Sequence, residues 1–233
     1  RLRYLSYYDA TIYLMQQELE FLEKTTGDEP TGTVIWLHGL GADATDFEPV
    51  VPLLGLSTPL KFIFPNAPER PITINGGASM RGWYDVDPAN PDGAIEDIEE
   101  SADLIYQLIQ AELDQGTPSE RVTVAGFSQG GVIALHLGLS SSQRLKGIMA
   151  LSTYLYQPET LVDRIGLANI DVPIFMAHGI SDPMIPITKA ITSRETLLSH
   201  AYQVEWYEYA MGHQVCPQEL SEIGRWLNKI YSD

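Results

Sequence analysis

The sequence predicts an α/β fold in which a mostly parallel central sheet carries helices on both faces, and three observations predict it. Apolar, β-branched runs bounded by glycine or proline alternate along the chain with stretches of helical spacing. The 233 residues, 44% hydrophobic and 19% charged, are enough for one α/β core and short for two. Between residues 69 and 93 lies a long segment rich in proline and glycine, of the kind that compact domains keep for functional loops.

Residues 1–14, "RLRYLSYYDATIYL", open with two arginines, but Ser6, Asp9 and several tyrosines break up the apolar residues. No small-residue cleavage site follows, so they do not read as a signal peptide. With Met15 as the natural start they are a leader; the competing reading is a short aromatic arm that packs on another subunit, and residues 15–233 form a single domain. Val34, Ile35, Trp36 and Leu37 make a continuous apolar run, as a strand buried on both faces should, and "LKFIFPNAP" repeats the pattern. Residues 69–93 are expected to be irregular. Residues 94–114 carry Ile98, Ala102, Ile105, Leu108 or Ile109, and Leu113 at helical spacing, with acids gathered at the amino-terminal end where the helix dipole favours them. Further strands are "RVTVA", "KGIMALST", "VPIFMAHG" and "VEWYEY"; further helices follow Ser128, run through "TKAITSRETLLSHA", and close the chain from about Gln218 to Tyr231.

The turn between the strand at 122–125 and the helix after it reads Gly126-Phe127-Ser128-Gln129-Gly130, a GxSxG. A sharp strand-to-helix elbow leaves no room for Cβ atoms two residues either side of the serine, which explains the glycines. Such an elbow lifts the hydroxyl to the sheet's edge beside the free N–H groups of the helix, natural partners for a developing negative charge.

A nucleophilic serine needs a base and an acid. His136 is carried away along the helix, and His200 lies near a helix end. His38 and His178 border strands and fit either the site or a hydrogen-bonded core. His213, in "YAMGHQV", enters from the carboxyl end of a strand with Gly212 beside it. Asp182, in the turn of "HGISDPMIP", lies on the ligand side of the sheet, whereas Asp171 lies at the opposite edge. The order Ser128, Asp182, His213 is that of an α/β-hydrolase. The backbone N–H of Gln129 supplies one oxyanion donor, and the loop "LHGLGAD" offers the N–H of Leu40 as the second.

Composition excludes other classes. A net charge of −17 disfavours nucleic acid and anionic membranes as partners. The lone Cys216 forbids an internal disulfide framework, and the five histidines show neither HxxxH nor HxH, so no metal site is expected. No apolar run approaches bilayer length, so a soluble, cytoplasmic protein without an integral membrane segment is expected.

In order, "VIWLHGLGAD", "FIFPNAP", "PITINGG", "WYD", "AGFSQGG", "LSTY", "HGISDPMIP" and "MGHQV" resemble the phospholipase/carboxylesterase family of serine hydrolases, which includes bacterial carboxylesterases and acyl-protein thioesterases. From about Gly32 to the carboxyl terminus the resemblance is continuous. It implies a triad of Ser128, Asp182 and His213, oxyanion donors on Leu40 and Gln129, no cofactor, and a shallow apolar groove walled by Leu40, Ile74, Trp83, Met184 and Met211. The expected activity is hydrolysis of short-to-medium acyl esters, a small-molecule ester or thioester being the substrate. The alternatives are an acyl-protein thioesterase or lysophospholipase acting on longer chains and, in another class, an inactive hydrolase fold kept as a binding module. A homodimer is compatible with this reading and not required by it.

Overall fold

The structure is a computed structural model that describes residues 19–232. The expectations for residues 1–14 and Met15 lie outside the described residues.

Seven strands form one sheet: β1 (Phe21–Thr25), β2 (Thr33–Leu37), β3 (Lys61–Pro65), β6 (Val122–Phe127), β7 (Gly147–Leu151), β8 (Ile174–Gly179) and β9 (Val204–Tyr209), in the order β1-β3-β2-β6-β7-β8-β9. Every pairing from β3 to β9 is parallel, and β1 alone is antiparallel, with Phe21 opposite Pro65 and Thr25 opposite Lys61. The helices are α1 (Ile95–Asp114), α2 (Gln129–Ser140), α3 (Ile187–Ser199) and α4 (Pro217–Tyr231).

Alternation along the strands assigns the two faces. On β2, Ile35 and Leu37 join Ile98 and Ile105 of α1, Val132 and Leu135 of α2 and Leu197 of α3 in one core. Val34 and Trp36 point the other way, toward Leu220, Ile223 and Trp226 of α4. Trp36 stacks on Phe47 at 4.9 Å, and Phe175 meets Trp226 at 5.7 Å. Helices therefore cover both faces, as expected.

Two elements differ from expectation. β1, "FLEKT", is an additional edge strand; only its odd positions face solvent strongly, and three of its five residues are polar, so no apolar run announces it. The segment expected to be irregular contains a hairpin of β4 (Glu69–Ile72) and β5 (Ala78–Arg81), a separate two-stranded sheet. It tolerates Pro71 because a two-stranded ribbon leaves one edge of each strand unpaired.

Parallel pairing has one consequence for chemistry. The carboxyl ends of β2, β6, β7, β8 and β9 all fall on one edge of the sheet, so the loops that follow them converge.

Candidate active site

Ser128 directly follows β6, the central strand, and caps α2 with φ 54° and ψ −119°. A non-glycine residue holds such a conformation only when its surroundings enforce it. Here they do: the Ser128 N–H donates to the Leu151 carbonyl at 2.9 Å, and the Ser128 carbonyl accepts from Gly131 N at 3.0 Å and from Thr153 Oγ1 at 2.7 Å. The flanking glycines are sterically required. A Cβ on Gly126 would stand 2.2 Å from the Gly130 backbone, and one on Gly130 would stand 2.6 Å from the carbonyls of Leu37 and His38.

From this elbow a continuous chain of hydrogen bonds runs across the sheet edge. Ser128 Oγ donates to His213 Nε2 at 2.8 Å, and the Nδ1–H of the same ring donates to Asp182 Oδ2 at 2.7 Å. His213 hangs in the loop after β9, its ring 4.8 Å from that of Phe127. The Asp182 side chain, in the turn after β8, is fully buried while that of His213 is 18% exposed. Burial alone pushes the Asp182 carboxyl up, but the Ile185 N–H, the His213 ring and the Met184 N–H together outweigh it and hold the group below the usual carboxylate value. Both backbone donors reach Oδ1, at 2.9 Å from Ile185 and 2.8 Å from Met184, leaving Oδ2 for the histidine. His178 braces this turn by donating its Nε2–H to the Ile185 carbonyl at 2.9 Å. Burial holds His178 below the ordinary histidine value, so it serves as a neutral donor.

The loop after β2 is fixed with equal care. Nδ1–H of His38 donates to the Gly39 carbonyl at 2.7 Å, its Nε2 accepts from Ala67 N at 3.0 Å, and its own carbonyl accepts from Trp83 Nε1 at 2.9 Å. Gly41, at φ +76°, donates its N–H to the Arg81 carbonyl at 2.8 Å, tying the loop to β5. The buried Gln129 side chain spans from the elbow to the same region: Oε1 accepts from Trp83 N at 2.7 Å and Nε2 donates to the Tyr84 carbonyl at 2.6 Å. Among the described residues, no protein acceptor takes the backbone N–H of Leu40 or of Gln129.

A groove of about 520 Å³ opens over Ser128 and His213. Of the expected walls, Leu40, Ile74 and Met184 line it, with Ile74 53% and Met184 71% exposed. Trp83 and Met211 do not. Trp83 is completely buried, its indole N–H committed to His38 and its ring 5.4 Å from the His38 ring, so it supports the groove from behind. Met211 is 7% exposed; its carbonyl instead accepts from Ser181 N at 3.1 Å, joining the loops that carry Asp182 and His213. Residues missed in the sequence include Met80 and Val86 from the hairpin region, Tyr154 after β7, Lys189 on α3, and Phe127. Phe127 could have been found, because it sits inside the GxSxG turn next to the serine. His38 and His178, whose roles the sequence left open, both prove to be buried and hydrogen-bonded around the site. Among the described residues there is no cluster of side chains able to hold a metal ion.

Comparison with known proteins agrees with this architecture. The sequence model of the phospholipase/carboxylesterase family matches residues 22–231. Acyl-protein thioesterase 1 of Gibberella zeae is 36% identical over 85% of this chain and 90% of its own length, and that of Saccharomyces cerevisiae is 31% identical over 86% and 93%. Among solved structures, acyl-protein thioesterase 2 of Zea mays superposes with a TM-score of 0.79 at 25% identity, covering 91% of this chain and 99% of that one. The chain is thus an α/β-hydrolase and a serine hydrolase, and it belongs to the phospholipase/carboxylesterase family.

Proposed function

We propose that this protein hydrolyses acyl esters and thioesters through an acyl-enzyme on Ser128. His213 acts as general base and then acid, Asp182 orients it, and the N–H groups of Leu40 and Gln129 receive the oxyanion. The observation that carries this reading is the unbroken line from Ser128 Oγ through His213 to Asp182, with distances of 2.8 and 2.7 Å, at the floor of the groove.

The chemistry follows from these positions. His213 Nε2 takes the hydroxyl proton as Ser128 Oγ bonds to the acyl carbon, and the imidazolium is stabilised by the adjacent carboxylate. Negative charge on the former carbonyl oxygen falls beside the two N–H groups that other protein acceptors leave free. Each such donor contributes roughly 3 to 4 kcal/mol to the transition state. His213 then hands its proton to the departing alcohol or thiol, and water repeats the sequence to release the acid. No step calls for a cofactor.

The groove walls Leu40, Ile74, Met80, Val86 and Met184 suit an acyl chain. The relatives named acyl-protein thioesterases favour a thioester carried on a protein over the simple short-to-medium esters expected from sequence. The test is hydrolysis of p-nitrophenyl esters from acetate to palmitate, alongside an S-palmitoylated peptide, by the wild type and Ser128→Ala. Release of acyl chain from the peptide by wild type only supports the thioesterase reading. Turnover confined to short esters returns it to a carboxylesterase, and no Ser128-dependent turnover on either substrate leaves a binding module.

A further inference from the structure

Lys189 stands where two cavities meet. Beside the groove over Ser128 lies a second cavity of about 320 Å³, walled by Tyr156, Gln157, Thr188 and Thr192, and the two share Tyr154 and Lys189. The ammonium lies 4.6 Å from the centroid of the Tyr154 ring, and the Tyr154 hydroxyl lies 3.5 Å from that of Tyr84, another wall of the groove. A cation–π contact therefore holds this lysine at the junction.

Its charge is otherwise unmatched. With 31 acidic against 14 basic residues, carboxylates are abundant, and Lys61, Arg70, Arg144, Arg225 and Lys229 each ion-pair with at least one. Among the described residues none does so with Lys189, not even Asp92 and Glu159, which line the second cavity. Lys189 also sits in the first turn of α3, which has no acidic residue, so the positive end of the helix dipole adds to the positive field that an anion would meet there.

Both sides of the groove mix apolar and polar walls: Leu40, Ile74, Met80 and Val86 stand with Asp46 and Asn75 on the side of β2 and the hairpin, and Met184 and Ile185 stand with Tyr154 and Lys189 on the side of β7 and β8. Among the described residues that line the groove, Lys189 is the only lysine or arginine, and beside it the groove opens into the second cavity. We propose that Lys189 is a specificity-determining residue that selects substrates bearing an anionic group, a carboxylate or phosphate, within reach of the scissile bond. The proposal rests on the reading of Ser128 as nucleophile. The anion can be supplied by the leaving group or by the far end of the acyl chain.

Thiol release from matched thioesters tests this in two arms. In the first, octanoyl thioesters of 3-mercaptopropionate, N-acetylcysteamine and thiocholine give an anionic, a neutral and a cationic leaving group. In the second, an acyl chain ending in an ω-carboxylate is compared with octanoyl on N-acetylcysteamine. Wild type, Lys189→Met and Lys189→Glu are assayed at low and high salt, and the anionic-to-neutral ratio of kcat/KM is taken within each protein, so a general loss of activity cancels. The expected result is a ratio of about fivefold in wild type that shrinks with salt, approaches one in Lys189→Met and inverts in Lys189→Glu. The arm that shows it identifies the source of the anion. Ratios that do not respond to the substitutions in either arm, or a preference for thiocholine, overturn the role of Lys189 while leaving the Ser128 reading intact. Failure of wild type to release thiol even from the neutral thioester overturns both.

Discussion

Thr153 holds Ser128 by its carbonyl: Oγ1 donates to it at 2.7 Å, while the Thr153 methyl lies where a Cβ on Gly131 would come within 2.5 Å. One side chain thus both pins the strained elbow and demands glycine on the first turn of α2. Gly131→Ala should cost about 1 to 3 kcal/mol through overpacking. Combined with Thr153→Gly, which removes the Cγ2, Cβ and Oγ1 that the new methyl meets, the loss should be clearly less than the sum of the two single losses. Denaturant titration of the four proteins gives the coupling, and strict additivity would show that the clash is absorbed elsewhere.

Asp182 accepts two backbone N–H groups on one oxygen and His213 on the other. Asp182→Asn can keep the backbone pair on its remaining oxygen, yet it presents an N–H where His213 needs an acceptor. The imidazole then turns to the wrong tautomer, and kcat should fall by about 10⁴ with KM little changed, by analogy with the equivalent change in serine proteases. A loss below about tenfold in steady-state kinetics would remove Asp182 from the mechanism.

Trp83 and Ile74 separate wall from support. Trp83→Phe deletes the 2.9 Å bond to the His38 carbonyl and should lower stability by about 1 kcal/mol without moving the acyl-length optimum. Ile74→Trp, on the exposed rim, should shift the optimum toward shorter chains by filling the groove. A series of p-nitrophenyl esters measures both, and a shifted optimum in Trp83→Phe would reinstate the indole as a groove wall.

Glu219, in the first turn of α4, is completely buried, and the backbone N–H of Cys216 is the one group that favours its carboxylate against that burial. Burial pushes its carboxyl up from 4.5 to about 8. Between those values the folded protein retains a proton that the unfolded chain releases, so stability falls as pH rises through this window and the loss is complete above about pH 8. At about 1.4 kcal/mol per pH unit the effect has a ceiling of about 5 kcal/mol. Glu219→Gln should flatten this dependence, which thermal unfolding from pH 5 to 9 will register; parallel curves for the two proteins would refute the assignment.

Much of the site was legible because its parts are tied to strand ends. An elbow serine, an aspartate after one strand and a histidine after the next can be read in order, since each motif carries its own turn residues. Trp83 and Met211 were misplaced for a physical reason: both lie in loops that border the groove, and only the direction of the side chain decides between wall and core. Trp83 faces inward because His38 offers its indole an acceptor, a partner 45 residues away that no local pattern announces. β1 escaped notice because an antiparallel edge strand needs only half its residues to be apolar, and "FLEKT" is too short to show alternation. Lys189 gave no signal, since the helix that bears it reads as ordinary surface.

The close fit around Gly126 and Gly130 divides this molecule into a part that can drift and a part that cannot. Any side chain at either position meets backbone, which has nowhere to retreat, so most single substitutions there abolish the elbow outright. The groove walls obey no such rule, because Ile74, Met184 and Lys189 stand on exposed rims where a change of size or charge meets no backbone. Descendants of this chain would therefore keep one reaction and exchange substrates readily, changing their diet through a handful of rim residues while the elbow stays as it is.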